Sequence, residues 1–306
     1  MKKKILILAG GFSREREISL KTAKAVNLEL KKKKYKTLIC EPDGRFINNL
    51  RKFKPNIVFN ALHGRYGEDG YIQSLLENEK IKYTHSGPLA SSIAIDKEIS
   101  KKIFIKNKIL TPKYIKFSFN RYLNKKKIIK QIKNKIGFPA VIKPFNEGSS
   151  VQVYICNKHN FIKNLMKLSS HKEIMIEKYV PGREIQVAIM GNRKLGAIEL
   201  RPKRKFYDYK AKYSVNARTE HIIPVDLNKK NIKKILDIAF KAHRIIGCRG
   251  VTRSDFKFYN NKFYLLEINT QPGMTSLSLV PEIAKFNNIS FIELIEWILN
   301  DASINR

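Results

Sequence analysis

The chain opens on an apolar run, Ile5 to Ala9, closed by Gly10 and Gly11 and followed by the polar string "FSREREIS". A short strand that is apolar on both faces and ends in glycines is the usual first strand of a doubly wound parallel sheet. Ser13 is placed to cap the next helix, with Glu15 and Glu17 in its first turn, where the helix dipole favours carboxylates. A second buried run, "PNIVFNALHG", repeats the strand-then-glycine pattern. Asp69 then caps a helix whose apolar side is Ile72, Leu75 and Leu76. Residues 1–95 are expected to form one α/β domain.

From residue 96 the pattern changes. A helix over about 97–108 leads to "TPKYIKF", a Lys-rich helix, the strand "FPAVIKPF", the loop "NEGSS", the strand "VQVYIC", another helix and "EIMIEKYV". This predicts a compact α+β unit over 96–180. Residues 181–306 follow with hairpin strands around "MGNRK", a polar stretch over about 201–224 and an amphipathic helix over 229–246. Closing strands and a last helix over 290–300 complete the unit. A polar connection of that length inside a compact domain points to a lid.

The closing strand "FYLLEIN" (263–269) is apolar except for Glu267 and Asn269, which share a face because strand residues two apart do so. Upstream, "GVTRSDFKF" carries Arg253 and Asp255. Directly opposed residues of an antiparallel hairpin have numbers with a constant sum. A two-residue turn at Asn260-Asn261 makes that sum 521 and puts Asp255 and Glu267 on opposite faces. A three-residue loop, Asn260 to Lys262, makes it 522 and sets Asp255 against Glu267 and Arg253 against Asn269. The three-residue loop is therefore expected. Two carboxylates and an amide oxygen are hard ligands suited to Mg²⁺, and a shared carboxylate can bridge two metals. A solvated strand face is the plainer reading, but it fits poorly with so apolar a strand.

Elsewhere Lys143 sits in a buried strand before "NEGSS", whose Gly148, Ser149 and Ser150 could offer backbone N–H groups to an anion. The Walker A spacing is absent. Glu184, after "MIEKYVPG", could accept ribose hydroxyls. In "ALHGRYGEDG", His63 stands with three glycines, a Glu and an Asp at the end of a buried strand, where open α/β sheets bind ligands.

Charge changes the picture only slightly. The 306 residues hold 61 Lys plus Arg against 26 Asp plus Glu, a formal +35. Such an excess can draw polyanions. The Lys runs at 31–34 and 125–127 have no interleaved aromatics, so a specific nucleic-acid partner is not expected. Cys40, Cys156 and Cys248 form no CxxC pair, which fits a reducing compartment. No segment reaches the roughly 20 apolar residues of a membrane span. A soluble, cytoplasmic protein with no membrane partner is expected.

Taken together in order, "GGFSREREISL", "ALHGRYGEDG", "AIDKEISK", "VIKPFNEGSS", "IEKYVPGREI", "FYDYKAKY", "GVTRSDF" and "LLEINTQPGMTSLSLVP" resemble the D-alanine–D-alanine ligase family of the ATP-grasp superfamily over nearly the whole chain. The resemblance implies a Rossmann-like parallel-sheet domain followed by a two-part ATP-grasp fold. It implies ATP and two D-alanines as substrates, two Mg²⁺ (or Mn²⁺) and a homodimer. Lys97, Lys143 and Lys212 would contact ATP phosphates, Glu177, Lys178 and Val180 the adenine, and Glu184 the ribose. Asp255, Glu267 and Asn269 would hold the metals. Glu15 would receive the first ammonium near His63, with Ser149 and Tyr213 tying the lid to it. Arg253 and the Gly273 N–H would stabilise the oxyanion, and Ser278 and Leu279 would take the second carboxylate. D-alanine–D-lactate ligase is the alternative within the superfamily, against which Tyr213 argues; a basic nucleic-acid-binding protein is the alternative outside it.

Overall fold

The computed structural model describes residues 3–119, 124–145, 152–201, 219–275 and 278–305. Three sheets organise the described residues. In the first, β1 (Lys4–Leu8) lies between β2 (Lys36–Cys40) and β3 (Ile57–Asn60), all parallel. Alternation along β1 feeds two cores. Ile5 and Ile7 pack with Ala23, Val26 and Leu30 of α1 (Arg16–Lys32). Leu6 and Leu8 pack with Phe46 and Leu50 of α2 (Phe46–Phe53) and with Ile72 and Leu76 of α3 (Tyr71–Asn78). Each such fully buried aliphatic side chain contributes about 1.5–3 kcal/mol of transfer free energy.

The second sheet has the order β4-β7-β5-β6, all neighbours antiparallel: β4 (Tyr114–Ser118), β5 (Ala140–Pro144), β6 (Tyr154–Cys156) and β7 (Glu173–Lys178). One face is covered by α6 (Lys125–Lys135) and α7 (Phe161–Met166) around Ile142, Ile174 and Ile176. Lys143 and Glu177, at alternate positions, belong to the other face.

The third sheet runs β10-β9-β8-β11-β12, again antiparallel. Its strands are β8 (Arg183–Met190), β9 (Arg193–Arg201), β10 (Glu220–Ile222), β11 (Val251–Tyr259) and β12 (Lys262–Asn269). Its apolar face carries α4 (Pro88–Ile95), α5 (Lys97–Lys106) and α8 (Lys229–Ile246). Both helices that flank the 95/96 boundary read from the sequence thus add residues to this core, Ala90 and Ala94 from α4 and Phe104 from α5. Two last helices, α9 (Leu279–Phe286) and α10 (Phe291–Asp301), pack against the first sheet and β8–β9. The expected parallel sheet is present, and the expected two-part α+β remainder consists of two antiparallel sheets with their helices.

Three local expectations are corrected. Ser13 does not cap α1, which begins at Arg16 with Glu15 at its N-cap, just as Asp69 does not cap α3, whose N-cap is Gly70. The Ser13 hydroxyl instead accepts the Glu15 N–H (3.1 Å) and donates to the His63 carbonyl (2.6 Å). A helix, α9, follows the "QPGMTS" turn, where none was foreseen.

The third correction concerns the hairpin. Its turn has two residues, Asn260 (φ 46°) and Asn261 (φ 56°). Two successive left-handed residues are what a type I′ hairpin turn requires. The pairing near the turn has the sum 521: Tyr259 with Lys262, Phe258 with Phe263, Phe256 with Leu265. A bulge then takes up Leu266, and the sum becomes 522: Asp255 with Glu267, Arg253 with Asn269. The expected juxtaposition exists, but a bulge creates it rather than the loop. The reason is packing. Phe263 and Leu265 belong to the apolar core, Phe263 stacked on Phe258 at 4.5 Å. Without an extra residue, Glu267 and Asn269 would share that face; Leu266 moves them to the other one.

Candidate active site

On the face of the third sheet opposite α4, α5 and α8, Arg253 donates to both Asp255 oxygens, Nε–Oδ1 at 2.7 Å and Nη2–Oδ2 at 3.0 Å. This fork-to-fork pairing fixes both groups. Gln186 stands opposite Asp255 on β8, and with its amide turned to satisfy both partners it also donates to the carboxylate. Asp255 is buried, whereas Glu267 is about a quarter exposed. Asn269 Oδ1 accepts the Gln271 backbone N–H (2.8 Å).

Lys97, at the start of α5, ties this platform to the second sheet. Its Nζ lies 3.6 Å from Glu267 Oε2 and 3.5 Å from the carbonyl of Phe145, just beyond β5. One helical turn later on the same face comes Lys101, fully buried. Its Nζ donates to Thr111 Oγ1 (2.6 Å) and lies 3.2 Å from Glu177 Oε2. Glu177 Oε1 accepts from Lys143 Nζ at 2.7 Å. Two buried amines therefore share one buried carboxylate. Glu177 Oε2 has no well-aligned hydrogen bond, so the approach of Lys101 is its compensation. Burial works to raise the Glu177 pKa, but Lys101 and Lys143 together hold it below the usual carboxylate value. Burial lowers Lys101 to about 8, with Glu177 opposing that fall.

The remaining nucleotide candidates lie beside these. Lys178 is exposed at the end of β7 and Val180 is buried just after it. Glu184 pairs across β8–β11 with Lys257, Oε2–Nζ at 2.9 Å.

A second cluster forms at the end of the parallel sheet. Glu15 is buried at the start of α1, against Gly64, where an added Cβ would come within 2.8 Å of its carboxylate oxygen. His63 is clamped between Thr22 Oγ1 (3.1 Å from Nε2) and Glu68 Oε1 (3.2 Å from Nδ1). The Gln271 side chain links the clusters: its Oε1 accepts from Asn60 Nδ2 (2.7 Å), and its Nε2 donates to the carbonyl of Leu62. Gly273 lies close to Ser278, whose Oγ would be 3.0 Å from a Cβ there. That hydroxyl accepts the Thr275 N–H (2.9 Å), and Leu279 begins α9.

Fifteen of the candidate residues are thus described in two clusters and their margins; Ser149, Lys212 and Tyr213, with most of the polar stretch read as a lid, lie outside the described residues. Lys101, Gln186 and Gln271 were not singled out from the sequence. Lys101 had a signal, its i,i+4 spacing from Lys97 within "AIDKEISK". Gln186 and Gln271 had none, because their partners are distant in sequence.

Among the described residues, no three His, Cys, Asp or Glu side chains gather into a metal-binding group. The candidate donor set is instead Asp255, Glu267 and Asn269. Its oxygens are hard and share one face, and their charge is offset by Arg253 and Lys97. That set fits Mg²⁺, which completes its shell with water and phosphate oxygens.

The family model described as the D-ala D-ala ligase C-terminus matches residues 103–300. The D-alanine–D-alanine ligase of Pelagibacter ubique (strain HTCC1062) is 68% identical over 306 residues, 100% of both chains. That of Wolbachia pipientis wMel is 45% identical, over 97% of this chain and 94% of the relative. Two crystal structures of D-alanine–D-alanine ligase from Bacillus anthracis are similar in fold. The one complexed with ATP has a TM-score of 0.84 at 29% identity, and the other 0.85 at 33%, each covering 98% of this chain and 97% of that one. A parallel-sheet lobe followed by two antiparallel sheets bridged by buried lysines defines an ATP-grasp ligase. The chain belongs to the D-alanine–D-alanine ligase family.

Proposed function

We propose that this chain joins two D-alanines with ATP and supplies the dipeptide for peptidoglycan precursors. The observation that carries the site assignment is the platform of Arg253, Asp255, Glu267 and Asn269, joined through Lys97 to the Lys143–Glu177 pair. A carboxylate is a poor electrophile, so the first D-alanine must be activated. Its carboxylate attacks the γ-phosphorus of ATP, giving an acyl phosphate and ADP. The amine of the second D-alanine, after losing its proton, attacks the carbonyl, and phosphate leaves with the C–O bonding pair.

Each step brings anions together, and preorganised cations offset that repulsion. Lys97 and Lys143 bind phosphate oxygens, with Lys212 at the transferring group. Asp255, Glu267 and Asn269 would hold two Mg²⁺ (or Mn²⁺), which would neutralise phosphate charge. Asp255 orients Arg253 toward the oxyanion, with the Gly273 N–H as second donor. Glu15 holds the first ammonium beside His63, with Ser149 and Tyr213 as its partners. Ser278 and Leu279 hold the second carboxylate. Glu177, Lys178 and Val180 line the adenine, and Glu184 takes the ribose. All three cysteines are free and buried, which fits the cytoplasm. Two copies are expected to pair as a homodimer.

Phosphate release from ATP with Mg²⁺, across D-alanine, D-lactate and L-amino acids, tests the reading. Release with D-alanine, and D-alanyl-D-alanine as product, is expected. Release with D-lactate in preference would assign the other ligase.

A further inference from the structure

Lys101 has no role in the reaction just outlined, yet it is one of the largest fully buried side chains of the protein. Burying an ammonium is costly, so the site has to return something for it. Its surroundings come from four elements: Thr111 before β4, Tyr114 of β4 with its ring 5.8 Å away, Glu177 of β7, and through Glu177 the amine of Lys143 on β5. Lys101 is rooted in α5, whose Phe104 packs in the core of the third sheet. It is therefore a charged pin from the third sheet's helix layer into the second sheet.

The charge balance gives its meaning. Lys143 and Glu177 alone would be a closed pair, 2.7 Å apart and neutral overall, with the Lys143 charge spent on its neighbour. Adding Lys101 on the other carboxylate oxygen makes the trio net positive. Lys101 has no exposed surface, so it cannot meet a ligand itself.

We infer that Lys101 is a positioning residue for the nucleotide: it occupies Glu177 so that the Lys143 charge remains available to an ATP phosphate. This rests on the ATP reading above. Removing the Lys101 amine lets Glu177 claim Lys143 fully, and ATP binding weakens while the chemistry of the D-alanines is untouched.

The test is a double-mutant cycle on the full chain, read by titration with a non-hydrolysable ATP analogue and by KM and kcat. Lys101→Met is expected to weaken analogue binding about tenfold, the loss of one charged contact. It should raise KM for ATP with little change in kcat or in KM for D-alanine. In the Glu177→Gln background, where no carboxylate competes for Lys143, the same substitution is expected to leave affinity unchanged. Equal losses in both backgrounds would overturn the inference, since a purely structural amine would cost the same in each. If Lys101→Met does not fold, Thr111→Val, which removes only the hydroxyl holding the amine, is read in the same two backgrounds. A smaller loss confined to the Glu177 background supports the inference, and equal effects overturn it. Failure of the unaltered chain to bind the analogue would instead overturn the ATP reading.

Discussion

Asp255 lies directly opposite Glu267, one step beyond the bulge at Leu266. The two carboxylates gain their common face from a single extra residue. Replacing Glu267 with Gln keeps the shape and removes the charge. Because Glu267 is partly exposed and outside the apolar cores, Glu267→Gln is expected to melt within a few degrees of the parent. Turnover is expected to fall by about a hundredfold or more, as a lost electrostatic group in a transition-state site would produce. Thermal melting and phosphate release on one preparation check both; near-normal turnover would remove Glu267 from the site.

The Asn260-Asn261 turn can be tested away from the site. Asn261 sits at φ 56°, which Gly accepts freely and a β-branched residue resists. Asn261→Gly is expected to be at least as stable as the parent, and Asn261→Val less stable than Asn261→Gly by about 1–2 kcal/mol. Urea unfolding gives the difference. Equal stability of the two variants would contradict the left-handed turn.

Gln271 fastens the end of β12 to the loop carrying His63. Gln271→Ala leaves the buried carbonyl of Leu62 without that donor. The expected cost is about 1–3 kcal/mol. KM for the first D-alanine is expected to rise more than KM for ATP, because Glu15 and His63 lie on the loosened side. A rise confined to ATP would place Gln271 with the other cluster.

His243, at the end of α8, is buried with its Nδ1 2.8 Å from Thr252 Oγ1. Burial, aided by nearby Arg244, lowers its pKa to about 4. The unfolded chain protonates this ring near pH 6.5, the folded one near 4. Between those values the unfolded state binds more protons, so stability falls as pH falls through that window. The full effect is on the order of 3 kcal/mol. Urea unfolding at pH 7, 5.5 and 4.5, on the parent and on His243→Gln, isolates it. The difference between the two should shrink as pH drops, and a constant difference would rule it out.

Much of this architecture could be read from the residues. Ile5 to Ala9 with its glycines announces a parallel strand, and the helix over 229–246 falls at Lys229–Ile246. The pairing of Asp255 with Glu267 also followed, because the chemistry demanded a shared face. The route to it did not. Periodicity cannot separate a three-residue loop from a two-residue turn with a bulge, since both give the same pairs at the site. The choice was made by Phe258 and Phe263, which stack only in the shorter-turn register. Lys101 was hidden for a related reason: a lysine in a Lys-rich chain looks like surface until Glu177 and Thr111 are folded onto it.

The first turn of the parallel sheet has a consequence for selectivity. In open α/β sheets, this turn and the helix after it commonly receive a phosphate. Here the Gly10 N–H donates to Ser19 Oγ (2.8 Å) and the Gly11 N–H to Glu41 Oε2 (3.3 Å), while Arg16 clasps the same Glu41. The chain has placed its own carboxylate where a stray anion would settle. In a protein of formal charge +35, both glycine N–H groups of this turn are thus already engaged by side chains of the chain itself.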